Sequence, residues 1–265
     1  MLFIDSHCHL HDARIITKIP HIVDRAQKAG VEYMVSCATM EENFDRTARL
    51  SLAYGSVIPC FGIHPWFLNS LSENWQQRLE TFLTVHRSGI GETGLDFMDK
   101  RADQNLQIRV FSHHLALARE LERPINIHIR KAWDTFIHLL KKFGPLKPPG
   151  LIHSYSGSAD MIPLFERYNL YISFSGSVTR PSARKVIKAL GVVSEDMFLL
   201  ETDAPDIYPS LSGPPGKTIN EPKNLPTIAQ IAAQRVNMGF EEFAAQAYKN
   251  SLNLFRPILP YKKLS

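Results

Sequence analysis

Short apolar runs alternate with longer amphipathic stretches along the whole chain. Eight runs have the length and residue content of buried β-strands: 2–6, 32–37, 57–62, 89–92, 124–128, 150–153, 170–174 and 198–201. Helical periodicity lies between and after them, near 20–30, 41–54, 72–87, 101–122, 131–143, 159–168, 180–190 and 222–235. The pattern therefore predicts eight strand–helix units in succession.

This alternation is typical of parallel strands joined by crossover helices, and eight units favour closure into an α/β, TIM-type (β/α)8 barrel. The alternative is an open doubly wound sheet, which usually has a glycine-rich turn after its first strand. Here the first strand leads into His7-Cys8-His9 instead. We expect residues 1–265 to form one barrel domain. A Pro/Gly-rich loop, 205–217, follows the last strand and is long enough to be functional.

The composition restricts the class of protein but not its ligand. The chain has 265 residues, of which 44% are hydrophobic, with a net charge of +4, so a phosphate-rich ligand is permitted but not required. Three cysteines are too few for a disulfide framework, and neither a signal peptide nor a membrane-spanning run is evident. We expect a cytoplasmic protein with no membrane attachment and no obligate protein partner.

Candidate chemistry lies where the predicted strands end. In a barrel, the carboxyl ends of all strands meet at one rim, and catalytic groups come from that rim. Imidazole and carboxylate side chains occupy five of the eight ends: His7 and His9, Glu92, His128, His153, and Asp203. Any one of these histidines could be an ordinary structural residue. Their occurrence together predicts a metal site, because unpaired charges of this kind are costly to bury.

Each residue type suits a role at such a site. His7 and His9 point to the same side of their strand and can chelate one ion. Glu92 can bridge two ions, one through each oxygen. Asp203 can bind a metal and take a proton from the attacking water. Imidazole with carboxylate suits Zn, Mn, Fe or Mg, so the ligand types leave the metal open.

Six segments together resemble the TatD-type deoxyribonucleases, a branch of the metal-dependent hydrolase barrels. They are FIDSHCHLHD (3–12), FGIHPW (61–66), GIGETGLDF (89–97), INIHIR (125–130), LIHSYSG (151–157) and LLETDAP (199–205). The resemblance implies two divalent ions, Mg, Mn or Zn. His7, His9, Glu92 and Asp203 would hold one ion, and Glu92, His128 and His153 the other. It also implies that DNA is the substrate.

Neighbouring residues have less specific signals. Asp5 and Glu201 each lie two residues before a candidate ligand, so they either support that ligand or fill a layer inside the barrel. Asp96 either orients a neighbouring group or closes a turn. His64 either contacts the scissile phosphate or leaving group, or caps its loop.

Side chains near the rim suggest how a nucleic acid would be held. Arg130 and Arg180 suit phosphate contacts, although such charges usually form a solvated surface. Tyr155, with Trp66 and Phe97, is placed to stack on a base, although core packing is the commoner use of an aromatic ring.

We therefore expect a metal-dependent hydrolase in which Glu92 and Asp203 are catalytic and water attacks a phosphodiester bond. One alternative is a hydrolase of a small amide, lactone or phosphoester, because the same water-activating chemistry serves those substrates. Another is a non-catalytic nucleic-acid- or metal-binding protein, although the intact set of six ligands argues against it.

Overall fold

The computed structural model describes residues 1–98, 103–210 and 219–260. Eight strands form one sheet in which each strand pairs in parallel with the next along the chain. The strands are Phe3–Cys8 (β1), Val31–Cys37 (β2), Val57–Phe61 (β3), Gly89–Asp96 (β4), Ile125–Arg130 (β5), Gly150–Ile152 (β6), Leu170–Phe174 (β7) and Phe198–Leu200 (β8). The sheet curls into a nearly closed barrel, which confirms the predicted TIM-type fold.

Helices follow the strands and pack outside the barrel. They are Ile19–Lys28 (α1), Glu41–Ala53 (α2), Trp75–Val85 (α3), Gln104–Glu120 (α4), Trp133–Phe143 (α5), Ile162–Arg167 (α6), Arg184–Leu190 (α7), Leu225–Arg235 (α8) and Phe240–Phe255 (α9). Among the described residues, no helix is both long and apolar enough to cross a bilayer.

Alternate residues along the strands supply two apolar clusters. The larger cluster joins the outer face of the barrel to the helices. The smaller one contains residues of β1–β3 and β6–β8, together with Leu254 and Phe255 at the end of α9 and Ile258 just after it. Cys8, Cys37 and Cys60 are buried free thiols in these clusters, as small hydrophobic residues would be. Both faces of each strand are therefore covered, as a parallel sheet requires.

Two differences from the predicted elements have clear causes. Strand β4 runs to Asp96, whereas the sequence predicts its end at Glu92. The prediction is too short because Gly91 and Gly94 interrupt the apolar pattern of the strand. Both glycines have positive φ, and a Cβ on Gly94 would lie 1.9 Å from the carbonyl oxygen of His128. Only glycine allows β5 to approach this closely. Helix α9 was not among the predicted helices, although Phe240–Phe255 buries an amphipathic face.

Two predicted segments reach beyond the described residues. The helix predicted at 101–122 is described from Gln104 to Glu120, and residues 99–102 lie outside the description. Most of the loop predicted at 205–217 also falls outside it, because residues 211–218 are not described.

The barrel closes between β8 and β1 through a buried side chain as well as the main chain. The carboxylate of Asp5 accepts hydrogen bonds from the main-chain N–H and the hydroxyl of Thr202. Beyond it, Asp203 N donates to His7 O at 3.0 Å and His9 N donates to Ala204 O at 2.6 Å. Burial raises the pKa of Asp5 to about 8. Asp5 therefore fixes the residue beside Asp203 rather than the ring of His7.

We predict that Asp5→Ala lowers the free energy of unfolding by about 1–3 kcal/mol, because two buried donors of Thr202 lose their acceptor. Asp5→Asn keeps an acceptor and should lose less. Urea denaturation monitored by circular dichroism measures both variants. Asp24→Ala removes an exposed carboxylate on α1 and should stay within about 0.5 kcal/mol of the parent protein. Equal stability of the parent and the Asp5→Ala protein would contradict this role.

Candidate metal centre

A cleft of about 680 Å³ opens at the carboxyl ends of the strands. Its floor and walls include five of the six predicted metal ligands together with His64. The lining residues among these are His9, His64, Glu92, His128, His153 and Asp203. The sixth predicted ligand, His7, is fully buried beneath His9 and Glu92. The structure thus brings together all the residues that the strand ends suggested.

The first group of converging atoms comes from β1 and the end of β8. His7 Nδ1 lies 2.8 Å from Asn126 Oδ1, and His9 Nδ1 lies 2.9 Å from Cys37 O. Both acceptors are carbonyl oxygens, so each Nδ1 carries the hydrogen. The two Nε2 atoms face each other at 3.1 Å. Glu92 Oε2 and Asp203 Oδ1 lie 3.4–3.6 Å from both of them.

The second group lies on the other side of the same glutamate. His128 Nδ1 and His153 Nε2 are 3.0 Å apart, and Glu92 Oε1 is 3.0 Å and 2.9 Å from them. The outward nitrogens of these rings face carboxylates. His128 Nε2 is 3.4 Å from Asp96 Oδ2, and His153 Nδ1 is 3.4 Å from Glu201 Oε1. The two oxygens of Glu92 therefore face different imidazoles.

The donor chemistry of this cluster fits metal cations. In neutral rings whose Nδ1 is protonated, the lone pairs of His7 and His9 point at each other and at two carboxylates. That arrangement is unfavourable unless positive charge lies between them. Three sets of these groups have candidate ligand atoms within 4.8 Å of one another: His7, His153 and Asp203; His7, His9 and Glu92; and His64, Glu92 and His128. All of the groups are nearly or fully buried.

The carboxylates of this cluster favour the charged form of its histidines. Burial alone would lower the pKa of His9, but its hydrogen bond to Asp203 and the charge of Glu92 raise it to about 9. Burial likewise opposes the charged form of His153, yet Glu92 and Glu201 raise its pKa well above the usual value. The pKa of Glu92 stays well below its usual range, because the surrounding histidines outweigh the effect of its burial. The cluster therefore favours positive charge at its centre.

A model of the TatD related DNase family matches residues 4–256 of the chain. The chain belongs to this family.

Curated relatives and solved structures agree with the assignment. The metal-dependent hydrolase YabD of Bacillus subtilis is 31% identical over 97% of this chain and 99% of its own length. The human deoxyribonuclease TATDN3 is 30% identical over 95% and 94%. The crystal structure of the TatD homologue YJJV from Escherichia coli superposes with a TM-score of 0.89 at 27% identity, covering 96% of this chain and 98% of the other. The chain is therefore a TatD-family metal-dependent hydrolase.

The outer carboxylates of this TatD-family site are held by their own partners. Asp96 accepts from Trp66 Nε1 at 2.7 Å and from the main-chain N–H of Met98, while the side chain of Gln107 bonds both main-chain polar groups of Asp96. Glu201 Oε1 accepts from Ser154 N at 2.8 Å. Asp96 and Glu201 thus lie behind His128 and His153. Their carboxylates lie 3.4 Å from the outward nitrogens of these rings, which is the position expected of residues that support metal ligands.

His64 is buried at the cleft wall. Its Nδ1 accepts from the main-chain N–H of Trp66 at 3.1 Å, so a neutral ring carries its hydrogen on Nε2. That Nε2 lies 3.3 Å from Glu92 Oε1. Burial lowers the pKa of His64 to about 4. The ring therefore presents an N–H donor to the centre and also receives the cap contact that the sequence left as an alternative.

The predicted substrate contacts separate into two groups. Arg130 and Arg180 line the cleft, and Trp66 lies at its edge with 42% of its surface exposed. Tyr155 does not reach the cleft. Its side chain is 1% exposed, packs against Trp133, and donates to Ser158 O at 2.7 Å. The expectation that Tyr155 contacts substrate is therefore wrong, because its ring is needed in the core beneath the β6 loop.

Sequence reasoning overlooked two kinds of residue at this site. Asn126 orients His7, and its position two residues before His128 on β5 was a usable signal, because both side chains point to the same side. His11 has no ligand spacing in the sequence, yet it lines the cleft and meets the ring of His9 edge-on at 5.7 Å. Asp12, Arg14 and Asp206 also line the cleft, and the pair of Arg14 with Asp206 joins loops 192 residues apart.

A buried histidine on α4 holds the segment that precedes His64. His114 Nε2 accepts from Ile63 N at 3.1 Å, its Nδ1 donates to Val110 O at 2.7 Å, and its ring stacks on Trp75. Burial lowers the pKa of His114 to about 4. The folded protein therefore binds this proton less readily than the unfolded chain, whose histidines titrate near 6.5.

We predict that His114 lowers the free energy of unfolding in acid. Its contribution is fully present above pH of roughly 6.5 and is lost as the pH falls towards 4, by about 3 kcal/mol for a shift of this size. His114→Gln keeps an acceptor for Ile63 N but does not titrate. Denaturant unfolding at several pH values should show the parent protein losing stability relative to His114→Gln across that range. Parallel pH curves for the two proteins would refute the assignment.

Proposed function

We propose that the chain is a deoxyribonuclease that hydrolyses phosphodiester bonds with two divalent ions. The observation that carries the proposal is the position of Glu92. Its Oε2 faces His7 and His9, whereas its Oε1 faces His128 and His153 together with His64. A single carboxylate placed in this way suits a bridge between two cations. The deoxyribonuclease named among its relatives supports DNA as the substrate.

We assign two ligand groups on this basis. His7, His9, Glu92 and Asp203 would hold one ion, and Glu92, His128 and His153 the other. Mg, Mn and Zn all remain compatible with imidazole and carboxylate donors. When bound, the ions would neutralise the charge that develops on the phosphate and make water a stronger nucleophile.

The chain's own residues would carry out the remaining tasks. Asp203 lies beside His7 and His9 and could take the proton of the attacking water as its oxygen bonds to phosphorus. The P–O bond to the leaving nucleotide breaks in the same displacement, and the leaving oxygen takes up a proton from solvent. His64 directs an N–H towards the centre and can donate to a phosphate oxygen. Arg130 and Arg180 lie along the cleft, where guanidinium groups can hold neighbouring phosphates. The organisation of residues 1–265 as one domain and the cytoplasmic location stay predictions.

We predict that the metal-stripped protein binds two Mn²⁺ ions per chain in isothermal titration calorimetry. Glu92→Ala should remove tight binding at both positions, because the bridging carboxylate serves each of them. His138→Ala, an exposed histidine on α5, is the matched control and should leave the stoichiometry at two. Tight binding of two ions by Glu92→Ala would contradict the shared ligand.

We predict metal-dependent release of nucleotides from end-labelled single-stranded DNA. The nuclease activity of Glu92→Ala and of Asp203→Ala should fall by more than the roughly 100-fold that is typical of residues that merely support a ligand. The circular dichroism spectra of both variants should stay native. A fully active Asp203→Ala protein would refute the mechanism. Intact DNA after incubation with folded, metal-loaded protein, together with cleavage of a small amide, lactone or phosphoester, would transfer the function to that substrate class.

A further inference from the structure

The cleft has two sectors of different chemistry around the Glu92 centre. The first follows β5, β6 and β7 and contains Arg130, Ser154, Ser156 and Arg180. The second follows β8 and β1 and contains His11, Asp12, Arg14 and Asp206. We call the second group the β8–β1 wall. Because the strands run in sequential order around the barrel, the two sectors occupy separate parts of the rim.

Arg14 in the β8–β1 wall is committed to carboxylates. It donates to both oxygens of Asp12 at 2.9 Å and 2.8 Å, and to both oxygens of Asp206 at 2.8 Å and 2.7 Å. These contacts use four of the five N–H groups of a guanidinium. Two carboxylates around one guanidinium leave these three side chains with a net negative charge, which disfavours a phosphate directly beside them.

His11 in the same wall has a ring nitrogen, Nδ1, that could form a further hydrogen bond. The side chain is 4% exposed, and its Nδ1 has no hydrogen-bond partner among the described residues. Its main chain is held by Arg46, which donates to His11 O at 3.0 Å. A buried polar nitrogen without a partner is unusual and calls for an explanation. A sugar hydroxyl or the edge of a nucleobase would supply the missing partner after a small shift of the ring.

We propose that the β8–β1 wall receives the terminal nucleoside of a strand that ends in a hydroxyl, with His11 as a contact, and excludes an end that carries a phosphate. The inference rests on the proposed nuclease function and deepens it. The remaining phosphates of the strand then follow the sector with Arg130 and Arg180. Charge thus divides the cleft into a side for the polyanion and a side for an uncharged end.

The test uses four single-stranded DNA oligonucleotides of one sequence with a hydroxyl or a phosphate at each end. The Mn²⁺-loaded protein is assayed for release of the first nucleotide from each. A phosphate at the attacked end should lower kcat/KM at least about tenfold, equivalent to about 1.4 kcal/mol. A phosphate at the opposite end should change it less than twofold. Equal rates on all four oligonucleotides would overturn the inference but leave the nuclease proposal standing. No cleavage of any would refute both.

Two carboxylate substitutions test the source of the discrimination. In Asp12→Asn/Asp206→Asn the wall keeps its shape and acceptors but becomes positively charged through Arg14. We expect the penalty for a terminal phosphate to fall at least about fivefold. Asp45→Asn is the matched control. Asp45 lies on α2, is about as exposed as Asp206, and likewise pairs with an arginine, Arg78 Nη2, at 2.6 Å. An unchanged penalty in the double variant would overturn the electrostatic role of the wall.

His11→Ala tests the contact itself. For the hydroxyl-ended strand we expect KM to rise at least about fivefold with kcat changed less than about threefold, because binding is lost while the reacting groups remain. His138→Ala serves as the surface control, and thermal melting confirms that both variants are folded. A KM equal to that of the parent protein would remove His11 from the proposal.

Discussion

One buried carboxylate organises this protein. Glu92 is 3% exposed and has five imidazoles within about 3.5 Å of its oxygens, contributed by the carboxyl ends of β1, β5 and β6 and by the loop after β3. Burying that much polar surface costs free energy unless cations or protons compensate it. The imidazoles at the strand ends surround the Glu92 carboxylate, and the outer carboxylates of Asp96 and Glu201 lie behind two of these rings. The centre is therefore the constraint from which the rest of the rim follows.

The barrel meets this constraint by bringing its backbone unusually close. Gly91 and Gly94 allow β5 to pack against β4 where side chains would collide, and this places His128 beside Glu92. Asp5 closes the gap between β8 and β1 beside Asp203. An outer layer then fixes the rings, with Asn126 behind His7 on one side. Positions that look purely structural thus determine the geometry of the reacting groups.

Charge around the centre is distributed unevenly, and the proposed function uses this. Arg130 and Arg180 line one sector of the cleft, whereas Arg14 in the other is paired with two aspartates, which leaves that group with a net negative charge. The net charge of the whole chain, +4, conceals this division. A nuclease with such a cleft would distinguish a strand end that carries a phosphate from one that does not. The two sectors differ in charge because each is formed by the loops that follow different strands.

The sequence by itself determined the strand–helix alternation, the family and the set of residues at the strand ends, because strand periodicity and short motifs are local properties. It left the continuation of β4 beyond Glu92 and helix α9 undetected. Only the tertiary structure decided that Tyr155 belongs to the core and His11 to the cleft. It also showed that Asp5 bonds Thr202, that Asn126 orients His7, and that Arg14 joins Asp12 to Asp206. These contacts depend on distances between residues remote along the chain, and only barrel closure fixes those distances.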